Sequence, residues 1–143
     1  MVHMMERHFS SHALLGILVV TLIGFFTYVW NFSNPQAFFW DENYHIASAQ
    51  KYLSGTFFME PHPPLGKLLI AAGEYVLDLN ESDTQFTGTD YASEPPSGFS
   101  FTGYRLFPVL LAWLTAPILF LIFFLITKNT LYSVFFSFLY LFD

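Results

Sequence analysis

The sequence has 143 residues, no cysteine and a formal net charge of −6 at pH 7. Its residues are 54% hydrophobic and 21% aromatic but only 11% charged, which excludes an ordinary soluble domain and predicts a membrane protein. The lack of cysteine excludes disulfides, zinc–thiolate sites and thiol nucleophiles, and the acidic balance leaves no basic surface for nucleic acid.

The first predicted element is a transmembrane helix over residues 13–30, which contain no charged residue. This segment is long enough to cross the hydrocarbon core, and bulky aromatic residues occupy the place where a signal peptide would be cleaved. We therefore expect an uncleaved anchor. Arg7 precedes this segment and Lys128 follows the next apolar segment, so the positive-inside rule predicts that the loop over residues 31–104 faces outward.

The outer loop, residues 31–104, contains nine acidic residues and two lysines, a local charge of −7. Near its start Phe38, Phe39 and Trp40 are typical of an interfacial aromatic belt. Asp41 is predicted to cap a helix over residues 43–53 that Gly55 ends.

Two further segments complete the predicted outer loop. The pair Pro63-Pro64 favours a second helix, in which the leucine spacing over residues 65–79 predicts an apolar face lying on the membrane surface or on a partner helix. Residues 80–100 are rich in Ser, Thr, Asp, Gly and Pro and predict a mobile loop.

The remaining residues predict a second transmembrane helix over 106–127 and the start of a third over 131–143. About twelve residues are too few to cross a bilayer, so we expect the chain to be the N-terminal part of a longer protein. The predicted fold class is an all-α membrane protein with two full transmembrane helices, a truncated third, and interfacial amphipathic helices in the outer loop.

The adjacent acids Asp41 and Glu42 are the first candidates for chemistry, because a carboxylate at the edge of a bilayer is costly unless it is hydrated, paired or used. Neighbouring helical side chains diverge by about 100°, so the two cannot face one point. One carboxylate can take a proton from a hydroxyl while the other orients a cation or a donor group. The alternative is that Asp41 only caps the helix and Glu42 is a solvated first-turn acid.

Two cations are candidates for binding a lipid phosphate. Lys67 and Arg105 stand where a headgroup phosphate could be met, although snorkelling to the interface is the alternative for each. A divalent metal held by Asp41, His45, Glu60 and His62 is a further alternative that we do not favour, because nothing in the sequence fixes its two halves together.

Four motifs, taken together, resemble the start of the protein O-mannosyltransferase family, the dolichyl-phosphate-mannose-dependent glycosyltransferases of glycosyltransferase family 39, which have the GT-C membrane fold. The motifs are Phe-Trp-Asp-Glu over residues 39–42 with His45, Lys-Tyr-Leu-Ser-Gly-Thr-Phe-Phe over 51–58, His-Pro-Pro-Leu-Gly-Lys-Leu-Leu over 62–69, and Gly-Tyr-Arg-Leu-Phe-Pro over 103–108. The stretch Met59-Glu60-Pro61 has one residue more than the family's usual pattern and looks like a bacterial variant.

The resemblance implies an enzyme of the bacterial inner membrane that moves mannose, or a similar hexose, from a polyprenyl phosphate to Ser or Thr hydroxyls of exported proteins with inversion. It implies Asp41 as the general base, Glu42 as a support for the site or acceptor, and Arg105, Lys67 and His62 on the donor-phosphate side. It implies no metal and no cofactor, because the lipid-linked sugar is a substrate. Its partners would be the bilayer, the donor lipid and an acceptor protein. The donor cavity is expected in later helices, so the chain alone would be inactive.

Two alternatives from the sequence stay open. One is a related transferase that glycosylates a lipid or glycan, like the aminoarabinose transferases, and labelled donor would then enter lipid and not protein. The other is a small non-catalytic membrane subunit whose acidic loop binds a partner, which a natural stop codon after residue 143 would favour.

Overall fold

A computed structural model of the chain describes residues 11–142. These residues form helices and loops without any strand, which confirms the predicted all-α class. Arg7 and Asp143 lie outside the described residues. The predicted cytoplasmic flank depends partly on Arg7, and the predicted truncated end partly on Asp143.

Five α-helices follow one another along the described chain. They are α1, Ser11–Gly24, which continues into a π-helical turn, Phe25–Val29; α2, Glu42–Ser54; α3, Leu65–Leu77; α4, Thr102–Thr127; and α5, Thr130–Leu141. By length and composition, Ser11–Val29 and Thr102–Thr127 are apolar enough to cross a membrane. The helix α4 begins at Thr102, earlier than the predicted residue 106, and α5 has 12 residues.

The chain divides into two compact units, of which the first contains residues 11–30 and 112–142. Small residues let its helices approach closely, because a Cβ added at Gly16 would meet the Phe120 ring and the Thr130 methyl. The indole N–H of Trp113 donates to the Thr21 carbonyl at 2.9 Å. Its buried core consists of Val20, Ala116, Phe120 and Leu141.

The second unit, Asn31–Leu111, contains the residues that the sequence singled out for chemistry. Here α2 ends as predicted at Gly55, whose left-handed φ of 67° favours glycine. Its core is formed by α2 and α3 together with aromatic residues from the segment that leads into α4. The buried members are Ile46, Ala47, Ala49, Ala71, Phe86, Ala92, Phe99, Phe101 and Tyr104.

The helix α3 is amphipathic, as predicted, but it turns its polar side inward. Lys67 is 3% exposed and Glu74 is fully buried, whereas Leu65 and Val76 are more than 60% exposed. A helix that buries its charges and exposes its leucines is suited to apolar surroundings. Exposed leucine side chains carry no free-energy penalty against lipid tails, whereas charged side chains in such surroundings must be paired. The predicted contact of this face with the membrane surface or a partner helix stays a prediction.

The segment between α3 and α4 has no regular secondary structure, as expected, yet it is packed where a mobile loop was predicted. Phe86 is 5% exposed and its N–H donates to the Gln50 side-chain oxygen at 2.9 Å. Tyr104 donates its hydroxyl to Asp83 at 2.7 Å, and Lys51 pairs with Asp90 at 2.9 Å. The composition of the segment did not predict these contacts, because the aromatic and amide residues that make them are few and have no periodic spacing.

We expect the exchange Gly103→Ala to destabilise the protein. The helices α3 and α4 are in backbone contact at Gly73 and Gly103, and a Cβ at Gly103 would clash with the Glu74 carboxylate and lie 2.8 Å from its Cα. Overpacking of this kind costs about 1–3 kcal/mol. Thermal unfolding of the detergent-solubilised protein should therefore show a lower Tm.

The matched control is Gly66→Ala, also in a helix, where an added Cβ meets nothing within 4 Å. This variant should keep or raise the Tm, because alanine favours a helix over glycine by about 1 kcal/mol. A Tm for Gly103→Ala at or above that of the parent would contradict the close contact.

Candidate functional site

Asp41 stands at the N-cap position of α2, but its carboxylate does not cap the helix. Its backbone carbonyl accepts hydrogen bonds from the N–H groups of Tyr44 and His45, both at 3.0 Å, while its side chain makes no capping bond. The alternative in which Asp41 serves only as a cap therefore lacks its defining interaction. The carboxylate is exposed and available to a ligand.

Trp40, directly before Asp41, has a backbone conformation that is unusual for a large side chain. Its φ of 48° lies in the left-handed region, which costs a residue with a Cβ about 1–2 kcal/mol. Two hydrogen bonds hold the turn: Glu42 N–H donates to the Phe39 carbonyl at 3.0 Å, and Phe39 N–H donates to the Glu42 carboxylate at 3.1 Å. Such strained positions concentrate at functional sites, where the surroundings keep them in place.

Glu42 is paired with Arg105, a residue 63 positions later in the chain. The Arg105 Nε donates to Glu42 Oε1 at 2.6 Å and Nη2 donates to Oε2 at 2.7 Å, a bidentate pair. Both side chains are mostly buried, with 12% and 19% of their surfaces exposed. The two adjacent acids therefore differ, because the Glu42 carboxylate is paired with Arg105 and the Asp41 carboxylate is not.

The Arg105 guanidinium also holds the chain that leads into the site. Nη1 donates to the carbonyls of Ser33 and Pro35 at 3.0 and 2.7 Å, and Nη2 donates to Ala37 at 2.9 Å. With the two bonds to Glu42, these use all five N–H groups that arginine has. Binding a phosphate directly would require Arg105 to release one of these partners, and its predicted phosphate contact stays a prediction.

A second charged cluster contains Tyr44, Glu60 and Lys67. Lys67 forms an ion pair with Glu60 Oε1, and the same oxygen accepts the Tyr44 hydroxyl at 3.0 Å and the His62 backbone N–H at 3.1 Å. The Lys67 ammonium also lies 4.1 Å from the centre of the Tyr44 ring, a cation–π contact. Lys67 is thus enclosed by protein groups, and its predicted role toward the donor phosphate is also untested.

These contacts shift the acid–base behaviour of the cluster. Burial alone would raise the pKa of Glu60, but the hydrogen bonds from Lys67, His62 and Tyr44 outweigh it and hold this pKa below its ordinary value. Burial would lower the pKa of Lys67, but the Glu60 and Tyr44 contacts outweigh that effect and raise it. Both groups are therefore charged at neutral pH.

His45 differs, because burial and the nearby Lys67 lower its pKa more than Asp41 and Glu60 raise it. Its imidazole is neutral at pH 7, and its Nδ1 is buried without a hydrogen-bond partner. A neutral imidazole supplies no positive charge for a phosphate.

An open cleft of about 180 Å³ lies beside the free carboxylate and is lined by Asp41, Tyr44, Pro61, His62 and Tyr91. Two predicted site residues, Asp41 and His62, therefore share one cleft, whereas Lys67 and Arg105 do not line it. Sequence reasoning missed Tyr91, because it lies in the segment predicted to be unpacked.

The metal alternative named Asp41, His45, Glu60 and His62. Within residues 11–142, no group of three or more His, Asp or Glu side chains is placed to hold a metal ion. Glu60 is instead paired with an ammonium group.

The family profile and the similar proteins that match this chain all point to one family. The family profile for dolichyl-phosphate-mannose-protein mannosyltransferase matches residues 18–143. Dolichyl-phosphate-mannose–protein mannosyltransferase 4 of Schizosaccharomyces pombe is 31% identical over 116 residues, covering 76% of this chain and 14% of that protein. Dolichyl-phosphate-mannose–protein mannosyltransferase 1 of Candida albicans is 34% identical over 104 residues, covering 73% and 11%.

A mammalian relative, protein O-mannosyl-transferase 1 of Rattus norvegicus, is 30% identical over 104 residues, covering 72% of this chain and 14% of that protein. The chain thus spans between 11% and 14% of the length of these three relatives. No solved structure matches the chain significantly.

We expect Arg105→Lys to loosen the segment before α2. An ammonium group has three donors and no planar fork, so it cannot replace both bonds to Glu42 and the bonds to three carbonyls. Leaving buried polar groups unpaired costs about 1–3 kcal/mol. The Tm should fall, and limited proteolysis should cut residues 33–37 faster.

The control for that exchange is Lys128→Arg, an exposed cation in the other unit, which should leave both measurements unchanged. Unaltered proteolysis of residues 33–37 in Arg105→Lys would show that the guanidinium does not hold this segment.

We expect Glu60→Gln to weaken the fold at neutral pH and to reduce its sensitivity to acid. Because the pKa of folded Glu60 lies below its ordinary value, the carboxylate contributes stability above the unfolded-state pKa, and this is lost as pH falls through the folded-state pKa. The variant should unfold more easily by about 1–3 kcal/mol at neutral pH, since Lys67 loses its partner. Its Tm should fall less than that of the parent between about pH 6 and pH 3.

The exposed acid Glu94 supplies the control Glu94→Gln, which removes one carboxylate without breaking a hydrogen bond or ion pair and should follow the parent. Equal acid dependence of Glu60→Gln and the parent would remove Glu60 as a source of pH-dependent stability.

Proposed function

The chain belongs to the dolichyl-phosphate-mannose-protein mannosyltransferase family, and on that premise we propose that the protein containing it transfers mannose from a polyprenyl phosphate to Ser or Thr hydroxyls of exported proteins. One observation carries this proposal most directly: of the two adjacent acids, Glu42 is bound by Arg105 and Asp41 is free at the edge of a cleft. A general base needs an unengaged carboxylate within reach of the hydroxyl.

In the proposed reaction, Asp41 accepts the proton of the acceptor hydroxyl. The hydroxyl oxygen then forms a bond to the anomeric carbon of mannose from the face opposite the phosphate. The bond between the anomeric carbon and the phosphate oxygen breaks, its electron pair leaves with the polyprenyl phosphate, and the configuration inverts. No redox step or further reactant is needed.

Glu42 and Arg105 support this step by position. The bidentate pair fixes the first turn of α2, and the three carbonyl contacts of Arg105 fix the approach to Asp41. We propose that Arg105 and Lys67 contact the donor phosphate by exchanging one of their present protein partners for it, because each is now paired with a carboxylate. We propose that His62, whose side chain is 64% exposed, contacts the mannose of the donor and not its phosphate.

The proposed activity is that of a longer polypeptide, since the chain corresponds to between 11% and 14% of the relatives described above. We propose that segments corresponding to the rest of those proteins complete the donor cavity, and that this chain alone is inactive. The proposed location is the bacterial inner membrane, with residues 31–104 on the extracytoplasmic side. The few cations that flank the apolar segments support this orientation of the loop.

We expect Asp41→Asn in the full-length membrane protein to lose transfer by roughly 10²- to 10⁴-fold, the usual contribution of a positioned base. Transfer would be measured as labelled mannose passing from polyprenyl phosphate to a Thr-containing peptide, at equal protein abundance. Glu94→Gln, an exposed acid outside the cleft, is the control and should transfer at the parental rate. Undiminished transfer by Asp41→Asn would reject the base assignment, and label entering lipid and not peptide would reject the protein acceptor.

A further inference from the structure

The cleft beside Asp41 has walls made largely of rings. The Tyr44 and Tyr91 rings lie 5.6 Å apart with an angle of 42° between their planes, and Pro61 contributes a third apolar wall. Tyr91 is 62% exposed, so most of its surface is free to contact a ligand. Exposed aromatic faces of this kind pack favourably against an apolar ring of a ligand.

The charges around the cleft disfavour a phosphate. Asp41 lines it, and the cations Lys67 and Arg105 do not, because each is bound to a carboxylate elsewhere. An anionic ligand would have to approach Asp41 without a neutralising partner from either of these two residues. A neutral ligand meets no such cost.

The volume of the cleft argues for a small part of a ligand. Its 180 Å³ is below the roughly 300–1,000 Å³ of pockets that enclose a whole small molecule. It is suited to one side chain of an extended polypeptide that continues along the surface.

We propose that this cleft is an acceptor-peptide subsite that selects proline immediately after the Ser or Thr that receives the sugar. The inference rests on the proposed function, because it assigns Asp41 to the acceptor hydroxyl. Proline presents a compact, rigid ring, and it restricts the residue before it to an extended backbone. The hydroxyl residue at Asp41 would therefore be held extended while the proline ring lies against Tyr91 and Tyr44.

The subsite is built before any ligand binds. Tyr44 is held by its hydroxyl bond to Glu60 and by the Lys67 ammonium over its ring. Tyr91 is held next to α2 because the following residue, Ala92, is buried and donates its N–H to the Asn43 carbonyl at 3.1 Å. A preformed site loses little conformational entropy on binding. Even modest ring contacts can therefore produce a measurable preference between two peptides.

The test uses the full-length membrane protein, polyprenyl-phosphate mannose and two peptides that differ only in Thr-Pro against Thr-Gly. We expect the parent to favour Thr-Pro in kcat/KM by about 2- to 10-fold, the range of an aromatic ring contact. The variant Tyr91→Ala should bring this ratio close to one, mainly by raising the KM for the Thr-Pro peptide. Tyr91→Phe keeps the ring and should keep the ratio.

The control Tyr75→Ala removes an exposed tyrosine from α3, outside the cleft, and should keep the parental ratio. Each kcat/KM ratio compares two peptides in one enzyme preparation, so a lower fraction of folded enzyme affects both values equally and leaves the ratio unchanged. Transfer without preference for Thr-Pro, or a preference that survives Tyr91→Ala, would overturn the subsite and leave the base assignment standing. Failure of the parent to mannosylate either peptide would instead overturn the proposed function.

Discussion

The bidentate pair between Arg105 and Glu42 is the interaction on which the site depends most. It joins the first turn of α2 to the first turn of α4 through two residues that are 63 positions apart in sequence. Because the same guanidinium binds three carbonyls before α2, one side chain sets both the start of this helix and the path into it. A buried pair of this kind contributes little net stability, but removing one partner is costly, so it acts mainly to fix geometry.

A second constraint is that α3 buries its charges. Lys67 and Glu74 point inward. Lys67 is paired there with Glu60 and lies over the Tyr44 ring. Glu74 Oε1 accepts a hydrogen bond from the Asn80 side chain at 2.7 Å, while Glu74 Oε2 is buried without a partner. Burial is the main reason that the pKa of Glu74 is raised, which reduces the cost of placing this carboxyl inside. The apolar side of α3 is left outside, an arrangement that a soluble domain avoids and that membrane surroundings favour.

Local rules predicted the helices well, because their signals lie within a few residues of each other. Gly55 ends α2, the pair Pro63-Pro64 precedes α3, and both long apolar segments are helical. The sequence also indicated that the two acids would differ, but it could not say how. That difference depends on Arg105, and long-range side-chain pairs leave no periodic trace. Tyr91 was missed for a related reason, since its place is set by one backbone bond between distant residues.

Asp41 and Glu42 differ in their partners because their side chains leave the backbone in different directions. Consecutive residues at a helix start point about 100° apart, so a cation that binds one carboxylate with both of its oxygens leaves the other free. The left-handed turn at Trp40 directly precedes this helix start, and the Phe39 N–H donates across it to the Glu42 carboxylate. An Asp41 that reached the guanidinium would be neutralised as Glu42 is. The arrangement thus pairs one carboxylate with a cation and leaves the neighbouring carboxylate unpaired.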